Sequence, residues 1–142
     1  MISIRLIESG SLPDPELTYV VMGSRYRDQW IFVRHRERTS WEMPAGHMEP
    51  GEKADEAAAR ELREECGASQ FRLQAICDYS VEVNSILEYG RLYYAEIHAL
   101  SGQLEFEIEE ITLSEVLPKN LTYPEVQSLL FDRLVTYLDQ AT

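Results

Sequence analysis

Cysteine is scarce: Cys66 and Cys77 are the only two, too few for a disulfide scaffold, which predicts reduced thiols and a cytoplasmic protein. Long apolar runs are missing as well. The longest stretches free of Asp, Glu, Lys and Arg, Leu17 to Ser24 and Ile97 to Leu104, hold eight residues each, far short of the ~20 that cross a bilayer as a helix. The opening MISIRLIESG places Arg5 and Glu8 where a secretory signal needs an unbroken apolar stretch. Positive charge is in short supply: 13 Lys and Arg stand against 25 Asp and Glu, for a net charge of −12. That balance predicts no general affinity for nucleic acid and no membrane partner. Internal repeats, low-complexity tracts and Pro/Gly/Ser linkers are absent too. A chain of 142 residues, 44% hydrophobic, is therefore expected to form one domain over residues 1–142 with one sizeable core.

Ile2, Ile4 and Leu6 read as a strand by alternation, and similar stretches recur at Thr18 to Gly23, Trp30 to His35, Phe71 to Val83, Ile86 to His98 and Leu104 to Leu113. Two segments read as helices. Lys53 to Cys66 is built of Ala, Glu and Leu, strong helix formers, with Gly67 where a C-cap belongs. Pro124 to about Asp139 carries an apolar stripe of Val126, Leu129, Leu130, Leu134 and Tyr137. Strands, helix, strands, helix predicts an α/β fold, a mixed sheet with helices packed against it.

The chemistry is concentrated in residues 46–68, GHMEPGEKADEAAARELREECGA. At about 100° per residue, Glu65 falls about 40° to one side of Glu61 and Glu64 about 60° to the other, so three carboxylates share one arc. Leu62 and Cys66 point elsewhere and form the expected packing side. Ala54 and Ala57 lie on the acidic side, leaving room for a loop or a ligand. At ~5 Å in an effective dielectric near 20, each carboxylate pair repels by roughly 3 kcal/mol, so a positive charge belongs among them. A hard divalent cation, Mg²⁺ or Mn²⁺, suits oxygen donors; a solvated acidic face, with Arg60 as an i,i+4 partner of Glu56 and Glu64, is the plainer alternative.

Gly46, five residues, Glu52, seven residues, then Arg60-Glu61-Leu62-Arg63-Glu64-Glu65-Cys66-Gly67-Ala68 resembles the Nudix (MutT-like) hydrolase signature Gx5Ex7REUxEExGU, in which U is bulky and aliphatic. Seven specified residues coincide at a given start with a probability on the order of 10⁻⁹. One position departs: the last U is Ala68. The resemblance implies an α/β/α sandwich and hydrolysis, with Mg²⁺ or Mn²⁺, of a pyrophosphate bond in a small nucleoside di- or triphosphate derivative, giving a nucleoside monophosphate and pyrophosphate or phosphate. Glu61, Glu64 and Glu65 match the family's metal-coordinating glutamates, and Ala45 matches a position whose carbonyl often binds metal. Arg60 and Glu52 match residues that orient those glutamates. Glu61 or Glu64 is a candidate for removing the proton from water, as is a downstream carboxylate among Glu105, Glu107, Glu109 and Glu110, with Glu109 and Glu110 preferred. Homodimers are common among such proteins.

Five of the thirteen basic residues, Arg25, Arg27, Arg34, Arg36 and Arg38, lie between positions 25 and 38, immediately before this motif. Strand alternation would set Arg34, Arg36 and Arg38 on one face, where guanidinium groups can grip phosphate, or else on a solvated strand edge. Trp41 and Tyr26 are read as core or rim aromatics, and His35, His47 and His98 as structural. Downstream marks of related subfamilies are missing: no proline occurs between Ala68 and Leu117, and Tyr79 and Tyr89 are off the spacing of the dinucleoside polyphosphate type. Trp41-Glu42-Met43-Pro44-Ala45 before the motif resembles the small nucleoside triphosphate pyrophosphatases, including those acting on 8-oxo-dGTP. The alternative is a Nudix module that binds nucleotides without turnover, although such modules usually lose the glutamates retained here.

Overall fold

The computed structural model describes residues 2–101 and 108–141. Its strands are β1 (Ile2–Ile7), β2 (Tyr19–Tyr26), β3 (Gln29–His35), β4 (Ala45–His47), β5 (Ala68–Val83), β6 (Ile86–Leu100) and β7 (Ile108–Ser114). Helix α1 spans Ala54–Cys66 and α2 spans Pro124–Ala141. The strands make one mixed sheet in the order β1-β5-β6-β2-β3-β7, with β4 on β2. The β2–β6 pairing is parallel and the others are antiparallel.

Alternation along the strands divides the core in two. Val20, Met22, Ile31, Val33, Tyr93 and Ala95 join Ala54, Ala57, Ala58, Leu62 and Cys66 of α1 on one face. Val21, Trp30, Phe32, Leu92 and Tyr79 meet Leu130, Phe131 and Leu134 of α2 on the other. Successive residues point to opposite faces of a strand, so the sheet needs a helix on each side to bury both sets. This is the expected α/β/α sandwich.

Local chemistry sets the element ends. Hairpin turns at Arg27-Asp28 and Asn84-Ser85 have positive φ at both central residues, the backbone that matches the twist of flanking strands. Helix α1 begins where the Glu56 carboxylate accepts the Lys53 N–H at 2.9 Å, and ends at Gly67 with φ +69°, an αL C-cap. Its N-terminus is tied to the sheet through Asp14, whose carboxylate accepts both the Ala54 N–H (2.8 Å) and Arg91 Nη1 (3.0 Å). Arg91 also donates from Nε to Asp78 at 2.6 Å, and the Tyr93 hydroxyl donates to Asp55. Asp78 is fully buried, a placement that requires such a partner.

Strand β2 divides one edge between two partners. Tyr19, Val20 and Val21 pair with β4, while Ser24 to Tyr26 pair with β3. Between the two pairings the Met22 N–H donates to the Pro44 carbonyl at 2.8 Å, and Gly46 lies within β4 opposite Val20. The three-residue β4 has no counterpart among the expected strands; its hydrogen bonds to β2, rather than any apolar periodicity, make it one.

Candidate active site

Helix α1 packs beside β4 so that its carboxylates lie against the loop from Ala45 to Glu52. Glu65 Oε1 accepts the Ala45 N–H at 2.9 Å. A β-carbon built on Gly46 would fall 2.1 Å from Glu61 Cδ, so only glycine allows this approach. Glu61 and Glu65 keep 7% and 2% of their surface exposed, as little as the apolar side of the helix. The packing and acidic faces are distinct as expected, but the Ala45–Gly46 segment and the Arg60 guanidinium cover Glu61 and Glu65, and Glu64 alone of the three is one-third exposed. Ala54 and Ala57 leave no room for a ligand: both are wholly buried in the core.

Arg60 is the local source of positive charge. Its guanidinium donates to Glu52 (2.8 and 3.0 Å), Glu61 (2.7 Å), Glu64 (3.2 Å) and the His47 carbonyl (3.0 Å), with Glu49 at 3.6 Å. The hydrogen bond from Arg60 holds the Glu52 carboxyl below the usual carboxylate range. Conversely, the carboxylates, Glu52 first, raise the affinity of Arg60 for its proton. Glu52 also accepts the Glu49 N–H at 3.0 Å and so folds the loop onto the helix. Arg60 donates to both Glu61 and Glu64, and no three acidic, histidine or cysteine side chains form a ready ligand set among the described residues. The donors nevertheless suit a hard divalent cation: all are oxygens, two belong to buried carboxylates, and the glycine backbone leaves Glu61 a cradle that a β-carbon would fill.

Behind Glu65 lies a group that spacing did not single out. His35 Nε2 is 3.2 Å from Glu42 Oε1 and 3.4 Å from Glu65 Oε2, and Arg38 approaches Glu42 at 3.6 Å. Burial pushes the Glu42 carboxyl above its ordinary range, with Arg38 pulling the other way. His35, expected to be structural, is carried by β3 to the carboxylates at the point where that strand ends. Its contacts arise from tertiary pairing, which leaves no mark in sequence spacing.

These residues border a cleft of about 1010 Å³. Ala45, Gly46, His47, Glu61, Glu65 and Arg60 line one end, together with Arg36, Arg38 and Glu42. Ile2, Tyr79, Val81, Val83 and Glu88 line the other, with Tyr19, the β2 partner of His47, between the two. Glu64, one-third exposed, is held beside the cleft by Arg60.

The arginine face is corrected by the end of β3 at His35. Residues 36 and 37 form a turn, so the alternation that would align Arg34, Arg36 and Arg38 stops. Arg36 and Arg38 line the cleft. Arg34 instead donates to Glu110 at 3.0 Å and to the Arg38 carbonyl at 3.2 Å, with its guanidinium over the Trp41 ring. Arg25 and Arg27 lie at the β2–β3 hairpin, the opposite end of β2 from Tyr19. Glu110 sits on β7 in its pair with Arg34, more than half exposed, and is not among the cleft-lining residues. Glu105, Glu107 and the side chain of Glu109 lie outside the described residues. Trp41 and Tyr26 pack at the margins of the two core clusters, and His47 leans on Tyr19 with ring centroids 4.9 Å apart.

A family model of the NUDIX domain matches residues 16–126. Over 99 residues the chain is 35% identical to YtkD of Bacillus subtilis, a proposed 8-oxo-dGTP diphosphatase; the alignment covers 69% of this chain and 62% of that protein. An RNA pyrophosphohydrolase of Rickettsia prowazekii is 42% identical over 65 residues, which cover 42% of this chain and 40% of that protein. The chain thus spans less than two thirds of the length of these relatives. Among solved structures, the Bacillus subtilis pyrophosphohydrolase BsRppH superposes with a TM-score of 0.84 at 26% identity, covering 98% of this chain and 92% of that one. No described helix is long and apolar enough to cross a membrane.

Proposed function

Because this chain belongs to the NUDIX family, we propose that it hydrolyses the pyrophosphate linkage of a nucleoside di- or triphosphate derivative, releasing a nucleoside monophosphate and pyrophosphate or phosphate. The observation that carries this reading is the set of carboxylates at Gly46: Glu61 flush against the glycine backbone, Glu65 anchored on the Ala45 N–H, and Glu64 held through Arg60, at the mouth of a cleft with an apolar far end. Glu61, Glu64, Glu65 and the Ala45 carbonyl would hold Mg²⁺ or Mn²⁺. Such an ion, when bound, neutralises charge on the phosphate oxygens and makes water a better nucleophile.

The chain's own residues supply the rest. Arg60 and Glu52 hold the glutamate side chains in register with the loop, which is positioning work. Arg36 and Arg38 line the cleft, where planar guanidinium donors would suit phosphate oxygens. Glu61 or Glu64 would accept the proton from the attacking water. An 8-oxo-dGTP-like nucleotide is the favoured substrate, in keeping with the likeness to YtkD. A 5′-triphosphorylated RNA end is the second reading, favoured by the likeness to a protein named RNA pyrophosphohydrolase. Only the terminal nucleotides of such an RNA would need to enter the cleft, so a net charge of −12 weighs little against it.

The test is product analysis by chromatography after incubation with Mg²⁺ and a panel: canonical and oxidised dNTPs, NDP-sugars, ADP-ribose, dinucleoside polyphosphates and a 5′-triphosphorylated oligoribonucleotide. Cleavage at the pyrophosphate, reduced 10²-fold or more in Glu64→Gln, is the expected result. Binding without cleavage of any member would put the non-catalytic nucleotide-binding module in its place.

A further inference from the structure

The end of the cleft away from Gly46 has a chemistry of its own. Tyr19, Gly90, Tyr79 and Leu6 stand in register on four neighbouring strands, β2, β6, β5 and β1. One step along lie Glu88, Val81 and Ile4, paired in the same way and, at a spacing of two, on the same face. The Tyr79 ring covers Gly90 so closely that a β-carbon there would stand 2.3 Å from its Cζ. The aromatic ring is thereby fixed against the sheet. Val81, Val83 and Ile2 extend this surface, and all three line the cleft. The result is a broad apolar floor of the kind that receives a flat ring.

A single ionisable group interrupts the floor. The carboxylate of Glu88 lines the cleft, and its Oε1 accepts the Tyr19 hydroxyl at 2.7 Å. Burial, then the neighbouring Glu88, pushes the Tyr19 hydroxyl up to about 12, so it remains a donor at neutral pH and holds the carboxylate in place. The arginines that line the cleft, Arg36, Arg38 and Arg60, stand on the Gly46 side, where a guanidinium can meet phosphate oxygens, whereas the carboxylate of Glu88 repels them. A nucleotide along the cleft would thus turn its phosphates to the arginines and its base to Glu88.

We propose that this floor is the nucleobase seat and that Glu88 is its specificity-determining residue, accepting the adjacent N1–H and exocyclic N2–H donors of a guanine-type base. The inference rests on the nucleotide reading above and deepens it. An ionised carboxylate only accepts hydrogen bonds and does so best in bidentate fashion. Guanine is the common base with two N–H donors side by side on its pairing edge. Adenine and cytosine set a ring-nitrogen acceptor beside their amino group, and uracil flanks its N–H with two carbonyls, so each would turn a lone pair toward Glu88. An 8-oxoguanine keeps the same donor pair and is admitted equally.

Calorimetric titration of the full chain with GMP, IMP and AMP, without metal, tests this directly. The wild type is expected to bind GMP about tenfold or more tightly than AMP, with IMP, which lacks the exocyclic amine, in between. Glu88→Gln offers one acceptor and one donor and is expected to lose most of that margin while melting as the wild type does. Tyr19→Phe keeps the carboxylate and is expected to keep the preference for GMP. Equal affinity of the wild type for GMP and AMP, an unchanged margin in Glu88→Gln, or no binding of either nucleotide overturns the assignment. A protein that selects GMP through Glu88 yet cleaves no nucleotide overturns the hydrolase reading alone, and one that cleaves GTP and ATP equally well overturns the role of Glu88 alone.

Discussion

The Gly46 backbone and the Glu61 carboxyl group are in direct contact, so that a β-carbon on the glycine would lie 2.1 Å from Glu61 Cδ and 2.4 Å from its Oε1. Gly46→Ala must therefore displace the carboxylate, since the added methyl group meets the stem of a side chain that Arg60 holds from the other side. A shift of about 1 Å in a reacting constellation costs on the order of 10²-fold in rate. The expected outcome is a fall of that size in kcat/KM with the far-UV circular dichroism unchanged. Wild-type kinetics in this variant would remove Glu61 from the reaction.

Arg60→Gln takes a cationic partner from Glu52 and Glu64 and leaves Glu61 with less support. Breaking a largely buried ion network costs about 2–4 kcal/mol, to be read at pH 7 by urea denaturation. The sign of its pH dependence follows from Glu52. Its folded-state carboxyl is held below the usual range by Arg60, so its contribution is present above the unfolded-chain carboxylate pKa and lost as pH falls through the folded value. The gap between wild type and variant should therefore narrow from pH 7 toward pH 3. A gap constant over that range would mean that the guanidinium acts by packing alone.

Metal binding is expected to register as stability. An ion held by Glu61, Glu64 and Glu65, supplied at a hundred times its dissociation constant, stabilises the folded state by about 2.7 kcal/mol. Mg²⁺ should raise the melting temperature of the wild type and leave that of a Glu61→Gln, Glu64→Gln double variant in place. Equal shifts in both proteins would locate the ion elsewhere.

Arg91→Leu tests the anchor of helix α1. It strands the fully buried Asp78 carboxylate and one partner of Asp14, the residue that also holds the Ala54 N–H. A loss of about 3–5 kcal/mol is expected, a fall in Tm of about 10 °C. Adding Asp78→Leu should return part of the loss, because the unpaired charge goes with it. No recovery in the double variant would show that the arginine stem, rather than its charge, carries the effect.

How much of this was legible in the sequence depends on the range of the interaction. Helix α1, its Gly67 cap and the common arc of Glu61, Glu64 and Glu65 follow from a 3.6-residue period, and the sandwich follows from alternation in long strands. β4 was hidden because pairing with β2 defines it. Arg34 was grouped with Arg36 and Arg38 because alternation was extended past His35, where the chain turns. Ala54 and Ala57 share the helical arc of the glutamates, yet the segment around Asp14 and the sheet close over that arc at the N-terminal turns. Asp14, Asp78 and Arg91 converge from separate stretches of chain, and Tyr19 meets Glu88 across 69 positions; no local pattern announces such pairs.

The arginine at the centre of the acidic helix has one more consequence. A cluster that carries its own counter-ion in the chain does not wait for an outside one to become foldable, in contrast to small zinc domains that unfold when chelated. The fold is therefore expected to outlast chelation and to melt cooperatively in EDTA, with a bound ion adding stability to a chain that is already folded.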